Sequence, residues 1–453
     1  MRTQFLRTMC FVVVTVFAAF AFGQDYFLAP DGDDGNPGTL EKPLKDPVKA
    51  AARLTAGDTL LFRAGEYKCR TNDTVGLAPS ADGEKDKPIT FKSHNNESVK
   101  LDLTGSDWGL TNNGYSYIVF DGFEIVNKTH YGMKLSAASG RRAPGGGYVY
   151  GHHVTIRNCE VHHSANECIF ACETPNLTIE NCHLHDSGNS HGLYLQVGCH
   201  DAVIRNVTSE RNYGNSGIQL NAAGGGIKNA LVENCLLRYN AQGLSLMGNQ
   251  NCTFRNNVLL NDGYAGPRDS GYREIILWTY GTKDKPGTVC ENCLFENNTI
   301  VNVIPAGHKI GQLVQIQAGT QSITFRNNIF YIAGKPVFTI SDDARRGHVF
   351  ENNCLWTGGK APQMTGGVSL ADFAKANGLK ATGNLAVDPG FADLKKDDVQ
   401  LKGGSPCIDA AAATKTDVKA AGKGRDIGAL ERDGDVRVGC DLPWRKTGTT
   451  GPK

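Results

Sequence analysis

An all-β chain wound as a single-stranded parallel β-helix of about ten coils, with a short capping helix at its N-terminal end, is the fold this sequence predicts. Three observations predict it: a segment that recurs around an asparagine, a charge that alternates in sign down one column of those segments, and the lack of a helix-length amphipathic stretch inside the repeat. Glycine at 54 of 453 residues adds the many chain reversals such a coil needs.

The segments TIRNCEV, TIENCHL, VIRNVTS, LVENCLL, TFRNNVL, LFENNTI, TFRNNIF and VFENNCL carry Asn158, Asn181, Asn206, Asn234, Asn256, Asn297, Asn327 and Asn352. Most intervals are 22 to 30 residues, and the residue two before the asparagine is always apolar, from Ile156 to Phe350. That is strand alternation rather than helical spacing. A turn rich in Gly, Asn and Ser follows, then a second short strand: GMKL from Gly132, CIFA from Cys168, GLYL from Gly192, GIQL from Gly217 and GLSL from Gly243. A leucine-rich repeat shares the period and the asparagine, but its leucine spacing is missing.

The residue just before the asparagine fixes the register. Followed outward through the weaker copies ITFKS and IVFDG, it runs Lys92, Asp121, Arg157, Glu180, Arg205, Glu233, Arg255, Glu296, Arg326, Glu351. Stacked about 4.8 Å apart on neighbouring rungs, opposite charges attract. Each solvent-facing pair contributes about 0.2–1 kcal/mol, so the column is structural. The long interval from Asn256 to Asn297 then holds one rung with an insertion, because a second rung would break the alternation. The asparagines are expected to stack along the axis, with Cys159, Cys182 and Cys235 as small core residues in the next column. Cys252 and Cys293 fall at equivalent places on consecutive rungs, spaced for a disulfide.

The ends need covers, since an open stack exposes apolar residues and strand edges. Asp46-Pro47 before VKAAARL reads as a capped helix plugging the N-terminal end. SLADFAKANGL (369–379) reads as a short helix at the other end, and 433–453 as a loose tail. Residues 1–23, with Arg2 and Arg7, an apolar run and Ala21-Phe22-Gly23, read as a Sec-type signal peptide, which places the chain outside the cytoplasm, secreted or periplasmic. Residues 24–432 form one β-helix domain, with an N-terminal cap at 24–67 and a closing segment at 360–432. Removing 1–23 takes the formal net charge from +1 to −1. No electrostatic case for nucleic acid survives, no membrane span is expected, and the chain is read as a monomer. Of 14 cysteines only Cys10 leaves with the signal, so an odd number remains.

YFLAPDGDDGNPGTLEKPLKDPVKAAARLTAGDTLLFRAGEY (26–67), the asparagine-marked coils and VDPGFAD…LKGGSPCIDA…DIGALE (387–431) together resemble the right-handed parallel β-helix proteins of the pectate-lyase-like superfamily. The chain is most similar to polysaccharide lyases of the family-nine kind. That resemblance implies a right-handed coil, a polysaccharide substrate, a calcium-holding aspartate cluster around a coil such as DDGFD, and a lysine base on a later strand. Here the comparable strands read SGIQLN, QGLSLM and REIILW, without the acids or the lysine. A partial resemblance to polygalacturonase-type hydrolases rests on NECIF with Glu167 and SHGLYL with His191, where Asn166 and Tyr131 stand in place of further acids.

With Leu193 and Leu195, Ile218 and Leu220, and Leu244 and Leu246 pointing inward, alternation turns Lys134, Phe170, Tyr194, Gln219 and Ser245 outward, with Gln196 and Asn221 one step on. Glu167 and His191 fall at the lip. Insertions at 136–153 and 261–287 bring Arg141, Arg142, Tyr148, Tyr150, Arg268, Tyr272, Arg273, Trp278 and Tyr280, and arginine and aromatic groups suit uronate sugars. Abstraction of the proton alpha to a uronate carboxylate needs a base, a neutralising cation and an acid. His191 is read as base, Tyr194 as acid, and Lys134 or Arg273 as cation; Gln219, Asn221, Gln196, Arg268, Tyr272 and Trp278 are read as substrate contacts. No cofactor is favoured. A divalent metal on His162, His185 and Asp186 is the alternative, within a histidine-rich stretch from His152 to His200. The function expected is a polysaccharide lyase acting by β-elimination. The alternatives are a polygalacturonase-like glycoside hydrolase that promotes Glu167 and a non-catalytic glycan-binding β-helix.

Overall fold

Each asparagine-marked segment folds as two strands, because the asparagine itself turns the corner. In the computed structural model, which describes residues 23–446 apart from 138–143, 222–224, 264–271, 280–288, 307, 360–363, 365, 415–419, 421, 433 and 435–436, all eight marker asparagines are left-handed, with φ between 51° and 56°. Asparagine tolerates that region because its short amide bonds locally. TIRNCEV thus becomes Val154–Arg157 in one sheet and Glu160–His162 in another. Each coil has three strands rather than the two that the sequence pattern separates.

Three parallel sheets result. The first has thirteen strands, from Asp25–Leu28 to Lys380–Thr382; the second has eleven, from Gly65–Lys68 to Cys354–Trp356; the third has eight, from Met133–Leu135 to Phe338–Ile340. Inward residues stack in register: Ile179 lies opposite both Ile156 and Ile204, and the Phe254, Phe295, Phe325 and Phe350 rings follow one another at 4.8, 4.9 and 5.5 Å. Phe254 and Phe295 are adjacent, so the long interval between their asparagines is one rung.

The charge column keeps its register from Lys92 to Glu351. Arg157 meets Asp121 at 2.9 Å, Arg255 meets Glu233 at 2.7 Å, and Arg326 bridges Glu296 and Glu351 at 3.6 and 3.0 Å. It is not the solvent-facing column expected. Asp121 and Glu296 are 4% and 3% exposed, shielded beneath the stems of the basic residues.

The amide ladder also sits one residue further on than expected. Among the markers, Asn181 bonds Asn158 at 2.7 Å. The continuous ladder is Asn257, Asn298, Asn328, Asn353 and Asn384, whose Nδ2 groups donate to the next Oδ1 at 2.9–3.0 Å. Past the left-handed corner it is this residue that points inward. On earlier rungs the same column holds Cys159, Cys182 and Cys235, whose thiols donate to backbone carbonyls at 3.2–3.3 Å. Cys252 and Cys293 remain free thiols rather than a disulfide, each turned to a carbonyl of its own rung.

Pro47–Ala51 is the N-terminal plug, capped by Asp46, which accepts from Val48 and Lys49 N–H at 2.8 and 3.2 Å. Leu370–Ala376, capped by Ser369, buries Leu370 and Phe373 at the far end. From 387 the chain runs back along the outer face of the second sheet, where Phe391, Val399, Leu401 and Ile427 pack on Val258, Leu260, Val301 and Ile329. The expected loose tail is docked through 446: Cys440 N–H bonds Thr208 Oγ1 at 3.0 Å, Asp441 N–H bonds Asn181 Oδ1 at 2.6 Å, and the Trp444 indole bonds Asn158 O at 3.2 Å. Thr208 and Asn181 supply side-chain oxygens to it and Asn158 a backbone carbonyl. No helix of the described residues is long and apolar enough to cross a membrane. The signal-peptide expectation concerns residues that, up to 22, lie outside those described.

Candidate active site

The outward column of the third sheet reads Lys134, Phe170, Tyr194, Gln219, Ser245, Ile276, Gln315, Thr339. On the middle rungs it floors a cleft of about 580 Å³ lined by Ser190, His191, Tyr194, Asn215, Gln219, Gln242, Ser245, Arg273, Ile276, Trp278 and Gln317. His191, Tyr194, Gln219, Arg273 and Trp278 therefore share one site. None of these described lining residues is a carboxylate.

His191 is 4% exposed, its ring 4.8 Å from that of Tyr194. Its Nδ1 accepts the Ser216 N–H at 3.1 Å, which places the neutral ring's proton on Nε2. In this tautomer the Nδ1 lone pair that a base would use is engaged by Ser216.

The Tyr194 oxygen accepts from Asn221 Nδ2 at 2.8 Å and Gln196 Nε2 at 3.2 Å. Burial pushes its phenol pKa up, and the two amides oppose that by favouring the phenolate. Gln196 and Asn221, expected to touch substrate, both bond this oxygen. Burial pulls the Arg273 guanidinium pKa down. The Trp278 indole N–H, in the same wall, has no hydrogen-bond partner among the described residues.

Other expected residues lie elsewhere. Glu167 sits behind the cleft, its Oε1 accepting the Ser190 hydroxyl at 2.7 Å. Lys134 stands over Trp108, Tyr131 and Phe170, 4.4, 5.2 and 5.8 Å from their ring centres, two rungs before Tyr194. Tyr272 is 6% exposed and bridges to Ile310, so it supports the wall from behind. Arg268, like Arg141, Arg142 and Tyr280, lies outside the described residues. The metal set His162, His185 and Asp186 does not converge: His162 stacks flat on His185 at 5.0 Å, and Asp186 binds the far nitrogen of His185.

Gln242 and Ser216 were legible in principle, since they repeat the position of His191 three residues before the outward column. Ile276 lies within REIILW, and Gln317 follows the strand of the next rung, beyond the last one read from the sequence. Behind the cleft, Asp262 and Glu274 are fully enclosed in an amide column with Asn240 and Asn302. Burial pushes Asp262 up to about 7 and Glu274 well above the carboxylate range, so the pair holds a proton between them. Gly243 is required beside them: a Cβ there would lie 2.7 Å from Asp262 Oδ2.

A calcium ion takes six to eight oxygen ligands with carboxylates prominent. The described cleft lining offers amides, hydroxyls and a guanidinium, which do not fit it.

Comparison with known proteins agrees with this architecture. Over 111 residues the chain is 32% identical to the uncharacterized protein YwoF of Bacillus subtilis (strain 168), 22% of each protein. Over 92 residues it is 32% identical to the pectate lyase PEL9 of Emericella nidulans, covering 20% of this chain and 22% of that one. The matched stretches thus span about a fifth of these relatives. Among solved structures, pectate lyase Pel9A superposes with a TM-score of 0.59 at 16% identity, over 91% of this chain and 98% of that one. XylC in complex with xylose superposes at 0.52 and 12% identity, over 81% and 87%. The family model of the Pel9A-like right-handed β-helix region matches residues 26–264, more than half of the chain. With three stacked parallel sheets and that match, the chain belongs to the Pel9A-like right-handed parallel β-helix family.

Proposed function

We propose that this chain is a polysaccharide lyase that cleaves a uronate-containing polysaccharide by β-elimination in the third-sheet cleft. The observation that carries the reading is the make-up of that cleft: an arginine, an indole N–H, a tyrosine oxygen held by two amides, and no carboxylate among the described lining residues. Hydrolysis of a glycosidic bond calls for two facing carboxylates. Elimination calls instead for charge neutralisation at the uronate and one proton-transfer group.

Tyr194 fits the proton-transfer role. As phenolate, stabilised by Asn221 and Gln196, it takes the proton alpha to the carboxylate. Arg273 and the Nε2–H of His191 hold the negative charge that builds on the carboxylate. The electron pair forms the new carbon–carbon double bond as the β carbon–oxygen bond breaks, and the phenol returns the same proton to the leaving oxygen. Neutral His191 serves as a donor, as a neutral imidazole does when the other nitrogen is fixed by the protein.

The test is a panel of uronate polysaccharides assayed separately for unsaturated ends and for reducing ends. Unsaturated ends are expected, with turnover lowered about 10²–10⁴-fold in Tyr194→Phe and without stimulation by added calcium. Reducing ends without unsaturation, or full activity in Tyr194→Phe, would overturn the proposal.

A further inference from the structure

On the second sheet, facing away from the cleft, Glu160 and His183 stand in one outward column on adjacent rungs, and His185 is two residues along from His183. One ligand atom from each lies within 4.8 Å of the others, and all three side chains are more than nine-tenths buried. Carboxylates flank both imidazoles on their far sides. His183 Nε2 faces Glu210 Oε1 at 3.1 Å, and His185 Nδ1 faces Asp186 Oδ2 at 2.6 Å. Those carboxylates are held ionised by arginine: Arg238 Nε reaches Glu210 at 2.6 Å, and Arg211 reaches both oxygens of Asp186 at 3.1 Å. Each histidine faces one carboxylate with its far nitrogen and turns its near nitrogen toward Glu160. Both near nitrogens converge on one anionic oxygen, Glu160 Oε1, at 2.9 Å from His185 Nε2 and 3.7 Å from His183 Nδ1. His183 Nδ1 is buried without a hydrogen-bond partner among the described residues.

With the near nitrogens unprotonated, these are three donor atoms aimed at one point, which a cation between them would draw together. Two imidazoles and one carboxylate are the donor set of a borderline metal ion, and a carboxylate behind each imidazole is the arrangement that orients such ligands. We propose that Glu160, His183 and His185 bind one divalent transition-metal ion of the zinc type, remote from the cleft and independent of its chemistry. The ion ties adjacent rungs of the second sheet together beside Thr208, which pairs with His183 and receives Cys440 from the C-terminal segment.

The experiment titrates the metal-stripped full chain with zinc chloride by calorimetry and with cobalt(II) by visible absorption. One equivalent of zinc is expected, together with a tetrahedral cobalt spectrum and a raised melting temperature. His183→Ala and Glu160→Gln should weaken binding more than 100-fold. Glu210→Gln should weaken it about 10–100-fold through the supporting carboxylate, and His162→Ala should keep one equivalent. Absence of stoichiometric zinc binding and of a cobalt spectrum in the unmodified chain would overturn the proposal without reliance on any variant. Unchanged affinity in a folded His183→Ala would overturn it too.

Discussion

Tyr194 shows how a single oxygen acquires a role from three neighbours at once. Burial disfavours its phenolate while Gln196 and Asn221 favour it, and burial prevails. The fraction of base at neutral pH is therefore small. If the phenolate is the base, kcat/KM should climb with pH until the phenol is titrated. Asn221→Ala removes one stabilising donor, so the rising limb should move to higher pH, with a lower rate at pH 7. A profile flat above neutrality would count against Tyr194. The buried Asp262 and Glu274 pair yields a stability prediction at the same scale. With Asp262 raised to about 7 from an ordinary value near 4, its contribution to stability is complete at acidic pH and is lost as pH rises through 7. Thermal melting of the wild type should fall between about pH 4 and 7. Asp262→Asn, which keeps an oxygen for Asn240, should flatten that fall.

At the scale of elements, the left-handed asparagine separates two ladders of different depth. The inner amide ladder is enclosed from Asn257 to Asn353: Asn328 Oδ1 receives both the backbone and the side-chain N–H of Asn298. Asn328→Ala should strand both donors and cost about 2–5 kcal/mol in a urea unfolding curve, at about 1–3 kcal/mol for each buried unsatisfied group. Exposed charges such as Lys100 and Glu66 on the second sheet should each cost under about 1 kcal/mol when removed. The strand character and the register of the ten charge-bearing rungs were legible because period-two alternation and sign alternation are written in neighbouring residues. The corner was not, since an apolar, polar, apolar run reads alike whether straight or bent at Asn158. For the same reason the stacking asparagine was placed one residue early.

For the molecule as a whole, the C-terminal segment is a strap rather than a tail. It covers Val258, Leu260, Val301 and Ile329, an apolar outer column that no other described element covers. A chain ending at residue 386 should expose that patch and self-associate, seen as a larger species in light scattering, with lower melting temperature. A truncated chain that stays monomeric with an unchanged melting temperature would contradict the strap.

By itself the sequence determined the coil, its register and the outward stripe of Tyr194, Gln219 and Ser245 with His191 at its lip, because a repeat fold maps sequence spacing directly onto columns. Tertiary structure alone decided which nitrogen of His191 carries a proton, since that depends on the Ser216 backbone one rung away. It alone set Lys134 among Trp108, Tyr131 and Phe170, apart from the cleft, and gathered Glu160, His183 and His185 around one point. Columns follow from periodicity. Hydrogen-bond direction, side-chain convergence and the path of the returning strap depend on contacts between rungs and across as many as 286 residues of chain, as between Trp444 and Asn158, for which no local pattern exists.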